Sequence, residues 1–286
     1  MSTKDWHTPI SKEIIHDIHT VLDFARENTL SDLYADLPIV SGSQETFLEE
    51  LQKIPTVSAT ELIKHKEKLI HYPEKDIRYL VSEFDLDNWK DLFLYAQNID
   101  AEWDTVADEV AAYTPRVAIM TVPLSWQLGP MFYKTCRKKN VPVSVLSPRN
   151  PPLITQLIKE TEAQMVVATS DVAEDVFNIL KSEGLQEQVR LWHIVAPLNK
   201  KVTIPQLSGD TSIEYHLFPG IPIGYTNPSS KQDSLSFLPS PEYFFEVIND
   251  CCYITSLKCH TIPLIRFAIS TNTSVDQDGH ITIGHE

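Results

Sequence analysis

The chain holds four cysteines and ten histidines, the residue types best suited to metal binding or covalent chemistry. Cys251, Cys252, Cys259 and His260 lie close together, but they lack the C-x-x-C spacing of a zinc site, and Tyr253–Leu257 between them reads as a strand. Neighbouring Cys251 and Cys252 also make a poor disulfide pair. Together with Cys136 and Cys259 they read as reduced thiols in a reducing compartment, and no metal is expected. His16, His19, His65 and His71 sit in polar helical sequence and read as solvated, whereas His193, inside an apolar strand, reads as a hydrogen-bonded core residue rather than a base. No Ser-His-Asp order supports nucleophilic catalysis. A phosphate-cradling loop needs glycine, because its backbone must turn with positive φ and approach the anion closely. Glycine is scarce here: 8 of 286 residues, against a usual ~7%. The run Val40–Thr46 (VSGSQET) has the look of such a loop, but it carries no lysine and precedes a helix, where a serine cap is the simpler reading.

Composition narrows the partners. A net charge of −15 disfavours nucleic acid and anionic membrane surfaces, since phosphates would be repelled. No apolar run approaches the ~18 residues of a membrane span, and the polar start Met-Ser-Thr-Lys-Asp-Trp-His has no apolar signal core, so a cytoplasmic location is expected. Apolar content of 42% and charged content of 22% fit a globular protein with an ample core.

The elements fall into three stretches. Residues 1–115 read as a helical N-terminal region: a helix over 10–26, a second over 43–53, then Ser58-x-x-Glu61 as a capping box opening another. Ile77–Val81 reads as a short strand and Phe84–Ala112 as mostly helical. Residues 116–197 alternate strand and helix: strands at 116–122, 141–146, 164–168 and 190–195, and helices at 125–139, 151–162 and from Asp171, with Glu174 as its cap partner, to Leu180. That succession predicts a mostly parallel central sheet with flanking helices. Residues 198–286 show short β-like runs at 212–218, 233–238, 242–248, 252–257 and 263–268, divided by Pro, Ser and Asp, which predicts a C-terminal antiparallel β subdomain. The fold class is α/β.

Near the end stands Pro263-Leu-Ile-Arg-Phe-Ala-Ile-Ser-Thr271. This tract resembles P-x-I-R-[YF]-R-T-G-D of the acyl-adenylate-forming ligases, specifically the large domain of the phenylacetate–coenzyme A ligase type. Further similarity runs in the same order along the chain: Phe47–Leu62 (FLEELQKIPTVSATEL), Phe84–Trp89, the βα units of 116–181, Gly220–Glu246 and 251–267. The resemblance implies an ATP- and magnesium-dependent ligase, and its chemical parts can be checked one by one. The Ser/Thr/Gly phosphate loop belongs between strand 77–81 and Phe84, where only Ser82-Glu83 stands. The family's Y-G-x-T-E is matched by Ile223-Gly-Tyr-Thr-Asn227, so Asn227 replaces a glutamate that helps hold magnesium. Ala268–Thr271 replaces R-T-G-D, whose aspartate holds the ribose. The chain stops at Gly284-His-Glu286, where the hinge into a lid carrying the catalytic lysine belongs, so a lidless chain is expected. At ~10²-fold per missing stabilising group, little adenylation would survive.

The acyl pocket of the family implies ligand-lining positions at Ser125, Trp126, Met131, Phe218, Gly220, Gly224, Tyr225, Thr226 and Asn227; core packing is the competing reading for each apolar one. Arg266 either binds an anion or pairs structurally with an acidic neighbour such as Glu246. The expectation is a degenerate ligase relative, a pseudoenzyme without catalytic residues, metal or ATP, which binds an acyl or aromatic carboxylate or a protein partner of a biosynthetic system. Two alternatives stay open: a ligase or acyltransferase completed by another chain, and a structural interaction protein. Fold-level resemblance does not decide among them.

Overall fold

A computed structural model of the chain describes residues 5–28, 32–40, 43–58, 60–62, 64–65, 81–83, 93–95, 103–122, 128–198, 206–216, 222–226, 235–257 and 263–284. In chain order the elements are β1 (Trp6–His7), α1 (Lys12–Asn28), α2 (Asp32–Ala35), α3 (Phe47–Leu51), β2 (Val81–Glu83), β3 (Phe93–Tyr95), α4 (Asp104–Tyr113), β4 (Ala118–Met120) and α5 (Leu128–Lys138). There follow β5 (Val143–Val145), α6 (Pro151–Thr161), β6 (Met165–Ala168), α7 (Ser170–Ser182), β7 (Leu191–Pro197), β8 (Asp210–His216) and β9 (Pro222–Thr226). The last strands are β10 (Leu235–Pro239), β11 (Tyr243–Ile248), β12 (Cys251–Ser256), β13 (Phe267–Ser270), β14 (Thr273–Val275) and β15 (Ile281–Ile283). Two compact units result, one of residues 1–97 with 234–286 and one of residues 98–233. The fold is α/β, as the alternation of elements predicts. Among the described residues no helix is long and apolar enough to cross a membrane.

In the first unit the two ends of the chain share one core. Trp6 and His7 pair with Val247 and Glu246, so β1 is the outer strand of the antiparallel sheet β1-β11-β12-β13. α1 places Ile15, Ile18, Val21, Leu22 and Ala25 on one buried face, the i, i+3, i+4, i+7 pattern of an amphipathic helix. Phe47 of α3 meets Phe244 of β11 edge to face, centroids 6.4 Å apart. β10, β15 and β14 form a second antiparallel set.

The second unit is a sheet of order β9-β8-β7-β6-β4-β5, parallel from β8 to β5. β4 and β6 are buried along their whole length because helices cover both faces. α4 and α5 supply Val106, Val110, Leu128 and Phe132 to the face carrying Met120, Val167, Leu191 and Val195. α7 lies on the opposite face, where Phe177 meets Trp192 edge to face. α6 begins as a proline-started helix should: Asn150 Oδ1 accepts from the Leu153 amide at 3.2 Å, and Pro151 takes the first turn.

Several expectations shift. Residues 93–95, inside the stretch read as helical, pair with Val81–Glu83 as a hairpin; aromatic Phe93 and Tyr95 favour the strand. Residues 77–80 and 84–92 lie outside the described residues, and Ser82-Glu83 is strand rather than loop. α7 starts one residue before Asp171 with Thr169 as its N-cap and no side-chain cap bond, so the Asp171–Glu174 pair does not cap it. β8, expected within a separate antiparallel subdomain, pairs in parallel with β7 and extends the central sheet. The last predicted strand begins only at Phe267, because Arg266 takes φ of +45° and turns the backbone. The Ser58–Glu61 box is present as expected: the Ser58 amide donates to Glu61 at 2.9 Å, and the Glu61 amide to Ser58 Oγ at 3.2 Å. Cys251 and Cys252 are free thiols, with Cys252 and Cys136 buried. Burial pushes the Cys136 thiol up to about 12 and leaves it inert. Cys259 and His260 lie outside the described residues.

Phe244→Ala will destabilise the protein by about 3–5 kcal/mol, since it leaves a cavity beside Phe47. Ile39→Ala, at a side chain 87% exposed, will stay within about 0.5 kcal/mol. Urea unfolding of both variants checks the pair.

Candidate functional site

In an open α/β sheet ligands bind beyond the carboxyl ends of the strands, where the winding direction reverses. Here that point lies between β4 and β6. After β4 the chain crosses through α5 to β5 on one side; after β6 it crosses through α7 to β7 on the other. Thr121 ties the two strand ends together, its amide and hydroxyl both donating to Val167 O, at 2.7 and 3.2 Å. The segment leaving β4 carries Ser125 and Trp126, which lie outside the described residues, as do Phe218, Gly220 and Asn227.

Other expected pocket residues can be placed. Gly224, Tyr225 and Thr226 occupy β9, opposite Tyr215, Glu214 and Ile213 of β8. Gly224 is buried, Thr226 half-buried, and Tyr225 exposed at 43%. Met131 is half-buried and packs against the core under α4 and α5.

Arg266 belongs to the first unit and is a fold residue. Its Nε donates to Glu246 Oε2 at 3.1 Å, its Nη1 donates to Gln52 O at 2.8 Å and Ile54 O at 2.7 Å, and its guanidinium lies over the Tyr253 ring. Both charged side chains are nearly dry, 7% and 1% exposed. Burial raises the Glu246 carboxyl above its usual range, and Arg266 offsets part of that rise. Of the two readings of Arg266, the geometry is that of the structural pair. Arg266→Leu will therefore cost about 3–5 kcal/mol by leaving Glu246 buried and unpaired, and Arg266→Leu/Glu246→Leu will recover most of it. A double-mutant cycle by urea unfolding measures both.

The second unit holds a polar cluster not anticipated as a group from the sequence. Ser212, Glu214 and His216 alternate along β8, beside His193 of β7 and beneath α4. Trp103 Nε1 donates to both Glu214 oxygens at 2.9 Å, Thr105 Oγ1 donates to Oε2, and His216 Nε2 donates to Oε1 at 2.7 Å. His193 Nδ1 donates to Glu109 Oε2 at 2.8 Å, and Ser212 Oγ donates to Glu109 Oε1. Burial would raise the Glu214 carboxyl, but His216, His193 and Thr105 outweigh it and hold the group at about 2. Burial would lower His193, yet Glu109 and then Glu214 raise it above its ordinary value. His193 is thus the hydrogen-bonded core histidine its apolar strand suggests. The usable signal was the two-residue polar period Ser212-x-Glu214-x-His216 set against apolar Ile213 and Tyr215. A carboxyl held low in the folded state stabilises above its unfolded value of about 4.5 and loses that contribution as pH falls towards 2. Between those limits the wild type will lose about 3 kcal/mol that Glu214→Gln does not lose, read by urea unfolding across the acid range.

Among the described residues one cluster has side chains close enough together for a cation: Asp276, Asp278 and His280, on the turn between β14 and β15. Asp276 Oδ1 accepts from the amides of Asp278 and His280, both at 2.9 Å, which makes it a turn-forming aspartate.

No family model matches the chain, and no curated protein sequence does. Solved structures do. The open conformation of 2-hydroxyisobutyryl-CoA ligase, in complex with 2-HIB-AMP and CoA, is 13% identical over 94% of this chain and 72% of its own, with a TM-score of 0.66. The same ligase in its postadenylation state gives 0.62, at 13% identity over 94% of this chain and 65% of its own. VinN in complex with L-aspartate gives 0.53, at 14% identity over 94% of this chain and 76% of its own. The chain thus spans between 65% and 76% of the length of the chains in these three structures. At such identities the likeness concerns architecture alone: the chain has the fold of the acyl-adenylate-forming ligases.

Proposed function

We propose that this chain is a ligase-fold protein that has given up ATP-driven adenylation and binds a small acyl or aromatic carboxylate. The observation that carries the reading is the tract after Arg266. In place of R-T-G-D, Ala268 and Ser270 pair with Tyr253 and Cys252 in the strand ladder, and exposed Thr271 follows. No carboxylate stands in that tract to hold a ribose. Asn227 in place of the motif glutamate removes the anionic oxygen that a hard cation prefers. Ser82-Glu83, where the phosphate loop belongs, is strand, and Glu83 adds negative charge. Each departure removes attraction for a magnesium nucleotide, whereas the second unit keeps the switch point between β4 and β6, beyond which a carboxylate-bearing ligand would sit.

Mass action separates the possibilities. Millimolar ATP with magnesium will leave the melting temperature unchanged. A set of short acyl and aromatic carboxylates will include members that raise it, a ligand at ten times its Kd adding about 1.4 kcal/mol. Stabilisation by ATP with magnesium overturns the reading, and a flat response to every carboxylate removes its ligand-binding half.

A further inference from the structure

We propose that the cluster joining α4 to β7 and β8 is a proton-operated latch, in which one proton on His193 holds helix α4 to the sheet and its loss releases the helix. Groups from α4, β8 and β6 face the imidazole. From α4 come the Glu109 carboxylate, the Trp103 indole and, beyond it, Thr105 on Glu214. From β8 come Ser212 Oγ at 3.0 Å from Nδ1 and the Glu214 carboxylate at 3.7 Å from Nε2, with His216 on its far oxygen. β6 offers the apolar residue Val167 opposite. Further out on α4, Tyr113 shares a hydrogen bond with Asp210 and lies close enough to Glu109 to be coupled to it electrostatically.

Two carboxylates therefore flank one imidazole, one on each ring nitrogen. A protonated ring presents N–H to both. A neutral ring has one donor; if Nδ1 keeps it for Glu109, the Nε2 lone pair faces a carboxylate oxygen 3.7 Å away. Among the described residues Nε2 has no hydrogen-bond partner, so nothing else relieves that encounter. His193 is 1% exposed, and water does not reach it to replace the lost attraction. The strain lands on α4, because Glu109 and Trp103 grip the same cluster, with the Trp103 ring edge-on to the imidazole at 5.1 Å. By linkage, a histidine raised in the folded state contributes its full stability below its unfolded value near 6.5. It loses that contribution as pH climbs through the folded value. Glu214, held at about 2, stays ionised throughout this range and does not blur the step.

Hydrogen exchange read by mass spectrometry on the full chain, from pH 6 to pH 9.5 and corrected for intrinsic rates, tests the latch. Opening of 103–113 should rise by up to about tenfold per pH unit, the limit for one proton, while 170–182 on the opposite face stays level. His193→Gln should abolish the step, and His216→Gln should keep it. Equal responses of the two helices, or a step that survives His193→Gln, overturns the proposal. Should His193→Gln fail to fold, imidazole NMR of the wild type decides. A His193 that titrates above the ordinary range, and falls in Glu109→Gln, upholds the latch; a ring already neutral at pH 6.5 overturns it.

Discussion

A carboxylate removed from water needs donors or a compensating charge, and two buried carboxylates organise this chain. Glu246 sits in the middle of a buried strand and leans on Arg266. Glu214 sits on the buried face of β8 and accepts from an indole, a hydroxyl and an imidazole. Neither site tolerates the loss of a single partner as a surface ion pair would, because the group left behind remains dry. Each carboxylate therefore dictates the placement of elements far apart in sequence. Arg266 reaches back to the carbonyls of Gln52 and Ile54, and its backbone carbonyl accepts from the Val57 amide. The left-handed turn at Arg266 belongs to the same arrangement, since it aims the guanidinium inward just before β13 begins. Glu214, for its part, draws Trp103 and Thr105 at the start of α4 onto the sheet.

How much of this was readable in advance follows from the range of the forces. The buried parallel strands announced themselves as continuous apolar runs, and Pro151 and Ser58–Glu61 marked helix starts, because these signals are local. The parallel pairing of β8 with β7 was not local. Lys200–Gly209 reads as an exposed loop, and nothing in its composition says on which side of the sheet the next strand will land. The polar cluster depends on that lateral placement, since His193 meets Ser212 and Glu214 only once β7 and β8 lie side by side in that register. Positive φ at Arg266 was equally invisible, for an arginine carries no sign of the backbone region it occupies. The Arg266–Glu246 pair, in contrast, was foreseeable as one of two options, because a lone arginine in an apolar tract needs an anion.

The functional residues divide along the same line. Of the positions that the resemblance assigns to nucleotide binding, Ala268 and Ser270 lie in β13 on half-buried strand sites, and Thr271 is exposed. Those that survive, Arg266 and Phe267, are fold residues: one holds a buried charge, the other is 1% exposed. A lineage that no longer needs adenylation would keep the second kind and drift in the first, since stability is selected even where chemistry is not. On the proposed reading, that distinction would account for 263–267 resembling the ligase tract while 268–271 departs from it.

The most direct test of this account is carboxylate-dependent exchange of labelled pyrophosphate into ATP, run on the purified full chain with magnesium and a broad set of acyl and aromatic acids. The reverse of adenylation requires nucleotide, cation and carboxylate to be held together, and it needs no later step. Exchange will be no greater with any acid than without acid or without protein. Exchange that rises and saturates with one carboxylate would contradict that, and would mean that residues other than the expected motifs hold the nucleotide.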